Sequence, residues 1–284
     1  MTVDQVDLGA YFARIGFEQA GAVSPTLETL RRIQFCHACT IPFENLDVLL
    51  GRDIRLDMQS VQSKLIASKR GGYCFEQNGL LLYVLRAIGF DVTPHSARVR
   101  IAVTRDTTPP RTHLFCRVML DGTPWLADVG VGGLTPTGPI RMDTDARQET
   151  PHEPRRVVRE RGPHGEAFFH QVLLRTESGE AWHDVCEFTG EAMPEIDREV
   201  ANWWTSTNPE SKFRKNIMAA LARENGTRHT LATREYTMRQ GGTVLERIAV
   251  ESLEQLLAIL AQRFGLIVDG RTGTETALNF GIDG

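Results

Sequence analysis

One cysteine stands in a setting that could make it reactive: Arg70-Gly71-Gly72-Tyr73-Cys74-Phe75-Glu76-Gln77-Asn78. Cys74, Asn78, Leu81, Leu85 and Ile88 fall on one helical stripe that Gly89 closes, so a helix is predicted to open at Cys74 with the thiol facing inward. In the first turn of a helix the unpaired N–H groups carry partial positive charge, which favours a thiolate. The two glycines would let backbone approach a substrate closely. An inert buried cysteine fits the same residues, and the segment alone leaves both readings open.

A general base would decide between them, and the segment after residue 112 supplies one. Asp121-Gly122 is a strong hairpin signal; a two-residue loop pairs Leu120 with Thr123, so opposed residues sum to 243. His113 then faces Gly130, and Asp128 is its diagonal neighbour on the same sheet face, roughly 7 to 8 Å away. Leu114, Cys116, Val118 and Leu120, with Trp125, Ala127 and Val129, make the opposite face uniformly apolar, so that face is predicted to meet the core. Arg117 shares the polar side. A His oriented by a carboxylate and able to take a thiol proton is the general triad arrangement. A His and an Asp on one face are more commonly a structural pair; three suitable groups on different elements favour catalysis.

The elements that must position these groups can be read from periodicity. Leu8, Tyr11, Phe12 and Ile15 predict a helix ending at Gly16; Ser24-Pro25 reads as cap and first residue of a second, and a third runs from Asp57 through Val61 and Leu65. Beyond Gly89 the pattern alternates, with turn signals at Asp121-Gly122, Pro163 to Gly165, Ser178-Gly179 and Gly241-Gly242, which predicts an antiparallel β region. The polar stretch Arg141 to Arg156 reads as a long surface loop. Ser252 and Gly265 bracket an amphipathic helix on Leu253, Leu256, Leu257, Leu260 and Phe264. Three units are expected: helical 1–90, β 91–195 and mixed α/β 196–284.

Composition removes other classes. With 284 residues, 41% hydrophobic and 24% charged, the chain is an ordinary globular sequence, not a disordered or fibrous one. A net charge of -4 offers no general attraction to nucleic acid or anionic lipid. The longest apolar run, Leu80 to Leu85, is far too short for a membrane span, and the first residues show no targeting signal. Five cysteines are an odd, sparse set unlike a secreted disulfide framework. A cytoplasmic protein is expected.

The chain resembles the arylamine N-acetyltransferases. The likeness is carried by Arg70 to Glu76 followed by Asn78, by Ile41-Pro42-Phe43-Glu44-Asn45-Leu46, by Thr112-His113 and by Asp128-Val129-Gly130, in the family's order and spacing over nearly the whole chain. The resemblance implies an α+β fold: a helical domain carrying the nucleophile, an antiparallel β-barrel carrying His and Asp, an α/β lid, and a cysteine-proteinase-like catalytic core. It implies Cys74, His113 and Asp128 as catalytic residues, acetyl-CoA as cosubstrate without a metal, and an arylamine, hydrazine or hydroxylamine acceptor acetylated in a ping-pong reaction. It further implies a supporting Glu44–Arg70 ion pair beside Tyr73 and an acceptor pocket lined by Phe43, Val99, Thr112, Val131 and Phe213.

One residue departs from the family pattern: Val131 stands where many members have Phe, so a wider pocket with weaker hold on small flat arylamines is expected. No phosphate-binding loop signature is present; Gly130, Gly132 and Gly133 could offer N–H groups to the CoA pyrophosphate, and Arg111, Lys212, Arg214 or Lys215 could meet phosphates. Cys36-His37-Ala38-Cys39 lacks a second ligand pair for zinc and lies late in a helix, so it reads as packing; Trp203-Trp204 reads as packing between domains. A cysteine hydrolase or transglutaminase-like enzyme, a same-family amide synthase closing macrolactams, and a silent scaffold are the alternatives. A transferase must shield its thioester from water, and the segment beyond residue 195 could provide the lid.

Overall fold

The structure is a computed structural model that describes residues 6–18, 21–162, 165–176 and 179–268. Helix α1 (Leu8–Ile15) is capped by the Asp7 carboxylate, which accepts from Ala10 N, and ends at Gly16 in the left-handed region (φ 66°). Helix α2 (Leu27–Thr40) begins two residues later than Ser24-Pro25 suggests. Ser24 O instead accepts from Thr26 N in a tight bend, and Thr26 Oγ1 caps the helix by accepting from Thr29 N.

A two-residue strand β1 (Phe43–Glu44) and the short α3 (Leu46–Leu49) follow. The predicted third helix is divided: α4 (Met58–Gln62), capped by Asp57, passes into a π-helical turn over Ser63–Ala67. Helix α5 (Cys74–Ile88) opens at the cysteine and closes on Gly89 (φ 98°).

The β region starts with β2 (Asp91–Val99), β3 (His113–Leu120), β4 (Thr123–Ala127), β5 (Ile140–Arg141), β6 (Arg155–Gly162), β7 (Gly165–Thr176) and β8 (Gly179–Ala192). They form one antiparallel seven-stranded sheet in the order β5-β4-β3-β2-β8-β7-β6. Gln148 nearly closes it into a barrel: its side chain exchanges two hydrogen bonds with the Arg141 backbone, and its backbone two with Arg155. The β3–β4 register is the predicted one, with Leu120 opposite Thr123 and Cys116 opposite Ala127. Of the predicted turns, Pro163 and Ser178 lie outside the described residues; the flanking strands pair up to Gly162–Gly165 and Thr176–Gly179.

Helices α6 (Glu195–Thr207) and α7 (Lys212–Lys215) lead to β9 (Met218–Ala222), β10 (Thr227–Ala232), β11 (Glu235–Gln240) and β12 (Thr243–Ala249), then to α8 (Leu253–Phe264). The second sheet has the order β1-β9-β10-β11-β12. The N-terminal segment is therefore not purely helical, because β1 pairs with β9, Phe43 opposite Ala220.

Apolar residues collect where these layers meet. Leu30, Ile33, Leu81 and Leu85 pack on Cys116, Val118, Trp125, Ala127 and Val129, the apolar face read from the hairpin. Leu114 departs from that set and packs beside Cys74 with Phe43, Tyr73 and Phe75. Phe115, Leu126, Val172, Val185 and Phe188 fill the barrel. Leu231, Tyr236, Leu256, Leu260 and Phe264 join α8 to the second sheet.

The stretch 141–156 is not simply a surface loop. Its end turns inward, where Glu153 is buried and receives Arg228 from β10 at 2.5 and 2.6 Å, and Arg155 is fully buried. That pair ties the barrel to the second sheet. Trp203 also differs from expectation: it is 65% exposed on the outer face of α6, with Ile196 and Val200, and only Trp204 turns inward. Among the described residues no helix is long and apolar enough to cross a membrane.

Candidate active site

Helix α5 packs its first turns against strand β3 and the segment after β4, and the contact is polar where it matters. Asn78, one turn beyond Cys74, donates from Nδ2 to Leu114 O (2.6 Å) and to Asp128 Oδ1 (2.8 Å), and its Oδ1 accepts from Val129 N (2.9 Å). One amide therefore fixes the helix that opens at Cys74 to both carriers of the other two groups. Gly130 makes the approach close enough: a Cβ there would lie 2.9 Å from Cys74 Cα and 2.9 Å from Asn78 Nδ2.

His113 and Asp128 are both about 1% exposed. Asp128 Oδ2 accepts from His113 Nε2 at 2.7 Å, while Oδ1 accepts from Gly130 N at 2.8 Å. Cys74 is close enough to the imidazole to act on its proton affinity, and its thiol donates to Thr112 O at 3.5 Å. Burial opposes the charged imidazole, but the Asp128 charge, its hydrogen bond and Cys74 outweigh it and push His113 up to about 10. Burial likewise opposes the Asp128 carboxylate, and the charge and hydrogen bond of His113, with Gly130 N and Asn78, hold it below the usual range. A ring so placed is a strong proton acceptor beside the Cys74 thiol.

Cys74 and His113 open onto a cavity of about 480 Å³. The expected pocket residues Phe43, Val99, Thr112, Val131 and Phe213 all line it, as do Gly130, Gly132 and Gly133. Phe43 and Phe213 stand 6.2 Å apart between ring centres, and Tyr73 meets Phe213 edge-on at 5.6 Å. The far wall comes from β9 and β10, through Ala219, Ala220, Thr230 and Leu231, so the second sheet covers the thiol from the side opposite the barrel.

The glycines serve other ends than those read from the sequence. A Cβ on Gly71 would strike Pro42 O at 2.1 Å, and one on Gly72 would strike the Glu76 side chain at 2.6 Å; both glycines pack against protein, not toward a substrate. The Gly130 N–H is occupied by Asp128, which leaves Gly132 and Gly133 as the cavity-lining glycines of that turn. Arg111 pairs with Glu191 at 3.1 Å outside this cavity, and of the four cations considered for phosphates only Lys212 lines it.

Beneath Cys74 lies a largely buried ionic network. Arg70 Nη2 meets Glu44 Oε1 at 2.7 Å and Asp47 Oδ1 at 3.3 Å; Lys64 Nζ bridges Asp47 Oδ2 (2.7 Å) and Glu76 Oε1 (2.6 Å). Glu76 Oε2 then accepts from Tyr73 N, and Glu44 Oε2 from Leu46 N. The expected Glu44–Arg70 pair is one link of this larger set, which fixes the turn leading into α5. Tyr73 adds a hydrogen bond from its hydroxyl to Asn202 on α6.

Sequence reasoning quoted Asn78 without a role, and it missed Cys186 and the wall from β9 and β10. Asn78 had a signal: a polar residue four positions beyond Cys74 on an otherwise apolar stripe. Cys186 had none, since only the β2–β8 pairing brings it, opposite Val99, into the barrel beside His113 and Asp128. The His113, Asp128 and Cys186 donor atoms lie within 4.8 Å of one another. They are the set among the described residues that could share a cation, though His113 and Asp128 are already bonded to each other. Cys36 and Cys39 sit late in α2, half-buried and buried, and burial pushes Cys39 up to about 12.

Comparison with known proteins agrees with this geometry. An N-acetyltransferase family model matches residues 26–273. The chain belongs to the arylamine N-acetyltransferase family. It is 38% identical to an arylamine N-acetyltransferase of Escherichia coli K12, over 95% of this chain and 94% of that one, and 40% identical to one from Mycobacterium bovis, over 98% and 95%. Among solved structures it is similar to Mycobacterium marinum arylamine N-acetyltransferase in complex with CoA, with a TM-score of 0.87 and 35% identity over 96% of this chain and 99% of that chain. The Salmonella typhimurium enzyme gives 0.84 and 36%, over 97% and 98%.

Proposed function

We propose that this protein transfers the acetyl group of acetyl-CoA to arylamine, hydrazine or hydroxylamine nitrogen by a ping-pong reaction through acetyl-Cys74. The observation that carries the reading is the line Cys74, His113, Asp128 at the base of an apolar, aromatic-walled cavity.

The residues divide the work as follows. The Cys74 thiol proton passes to the free ring nitrogen of His113, and the thiolate attacks the thioester carbonyl. The C–S bond to CoA breaks, and the departing thiolate takes the proton back from His113, leaving acetyl-Cys74 and CoA. The acceptor nitrogen then attacks the acetyl carbonyl, His113 takes the N–H proton, and the Cys74 sulfur leaves. Asp128 holds the ring with Nε2–H turned away from the thiol throughout. The cavity walls from Phe43, Val99, Phe213 and Leu231 keep bulk water from the thioester. The cytoplasm, where thiols stay reduced, suits a free nucleophilic cysteine.

The test is intact-protein mass spectrometry after brief mixing with acetyl-CoA and no amine. Wild type should gain about 42 Da, the mass of one acyl group on the nucleophile, Cys74→Ala should not, and a hydrazine should discharge the adduct. No adduct and no CoA release would overturn the proposal.

A further inference from the structure

Within the barrel, and outside the cavity walls, sits a buried set of charges that the proposed reaction does not use. Among the described residues two buried guanidiniums, Arg155 and Arg228, pair with one carboxylate, Glu153. Arg228 takes the short contacts, at 2.5 and 2.6 Å, against 3.4 Å for Arg155. Arg155 is fully buried, so its charge is only partly balanced and has no water to screen it. Its Nη1 donates to His170 Nε2 at 3.0 Å. A guanidinium only donates, so that nitrogen must accept, and the single ring proton lies on Nδ1. Burial and the Arg155 charge keep the ring neutral. The His170 Nδ1–H is itself buried and has no partner among the described residues.

The strand register says what that ring stands beside. His170 on β7 is directly opposite Cys186 on β8, and opposed residues share a sheet face with Cβ atoms about 4.5 to 5.5 Å apart. The β7–β8 register shifts immediately after His170, an irregularity of the kind that re-aims a side chain beside a site. Cys186 in turn brings its Sγ within 4.8 Å of the donor atoms of His113 and Asp128. Besides Glu153, Asp128 is an acid that favours the Arg155 charge. Of the other titratable groups near this set, His152 is pushed down to about 4 by burial, and burial keeps the Cys116 and Cys186 thiols protonated. Asp128 is therefore served by two positive groups, His113 through a direct hydrogen bond and Arg155 through the polarised His170 ring. We infer that Arg155, acting through His170, is a positioning residue that stabilises ionised Asp128 from within the barrel, so that His113 can give up its proton and act as a base. The inference rests on the reading of His113 as the base that serves Cys74 and the acceptor.

The experiment forms acetyl-Cys74 with 4-nitrophenyl acetate and follows its discharge by one hydrazine across pH, because the midpoint of that profile reports the proton affinity of His113. The titration of the hydrazine is common to every variant and cancels in the comparison. Removing a nearby cation favours every protonated form. Arg155→Met should therefore move the midpoint up by about one pH unit, the scale of a unit charge acting across two side chains in a protein interior. Arg155→Lys should stay near wild type. Glu153→Gln removes the opposite charge and should move the midpoint down, and it decides the matter if the Met variant does not fold. A packing role alone would lower melting temperature or rate without moving the two midpoints in opposite directions. Midpoints that do not move, or that move the same way in both variants, overturn the inference. A wild-type protein that takes no acetyl group from either 4-nitrophenyl acetate or acetyl-CoA overturns the acyltransferase reading itself, and this inference with it.

Discussion

Replacing Asp128 by Asn tests the triad at its most constrained point. Asp128 Oδ1 accepts from both Gly130 N and Asn78 Nδ2. An Asn must therefore keep its carbonyl oxygen there and turn its NH2 toward His113 Nε2. That nitrogen must then accept, so the ring's single proton moves to Nδ1, toward Cys74. A neutral ring in that tautomer cannot take the thiol proton. The Asp128 charge that pushed His113 up to about 10 is also lost, leaving burial, which lowers it. A fall from there to the ordinary 6.5 spans about 3.5 pH units, or about 5 kcal/mol, divided between proton uptake by the ring and stabilisation of the thiolate. The expected loss in single-turnover acylation by 4-nitrophenyl acetate at pH 7 is about 10³- to 10⁴-fold. The deficit should shrink as pH rises past about 8.5, where a thiol ionises unaided, whereas a misfolded variant would show no such recovery. An Asn variant that melts like wild type and acylates within about tenfold of it at pH 7 would refute the assignment of Asp128, since tenfold is only about 1.4 kcal/mol.

Three further outcomes are expected. Glu153 is pushed down to about 2, because Arg228 and Arg155 outweigh the effect of burial. Its folded value lies below its unfolded one, so its contribution of about 3 kcal/mol is present above about pH 4.5 and fades as pH falls toward 2. Urea midpoints taken across that window should fall steeply in wild type and more gently in Glu153→Gln. Gly130→Ala places a methyl 2.9 Å from Cys74 Cα; acylation should drop on the order of 100-fold, and normal rates would show that the helix can retreat freely. Val131→Phe adds an aromatic face to the cavity, worth about 0.5 to 1.5 kcal/mol, so the KM for small flat arylamines should fall up to about tenfold, and an unchanged KM would count against the wider-pocket reading.

What could be read from the sequence was set by local chemistry. The α5 stripe, the caps of α1 and α8 and the β3–β4 register depend on residues close in the chain, and each appears where the pattern places it. The errors arise where a distant partner decides. The start of α2 is the local exception, where a bend at Ser24 makes Thr26 the cap. The stretch 141–156 turns inward because Arg228, 75 residues beyond Glu153, awaits it. Phe43–Glu44 is a strand because β9 pairs with it. Gly71 and Gly72 illustrate the same limit: their need for space was legible, but not that Pro42 and Glu76 would be what fills it.

The site itself follows from that division between local and distant order. Cys74 owes its place to a helix start that the sequence encodes locally, and His113 and Asp128 owe theirs to one hairpin and the turn that follows it. Neither unit knows of the other until Asn78 joins them, with three hydrogen bonds to Leu114, Asp128 and Val129. The joint is fully buried, so no water can replace a missing partner. Asn78 therefore couples the packing of the helix on the barrel to the orientation of the carboxylate. The third contributor, the sheet of β9 and β10, makes no hydrogen bond to Cys74, His113 or Asp128 among the described residues, yet it bounds the cavity over the thiol through Ala219, Ala220 and Leu231, with Ala220 in the same apolar cluster as Cys74. The hydrogen-bonded set is thus built at the helix–barrel contact, while the cavity above it is bounded by β9, β10 and the α7 segment bearing Lys212 and Phe213.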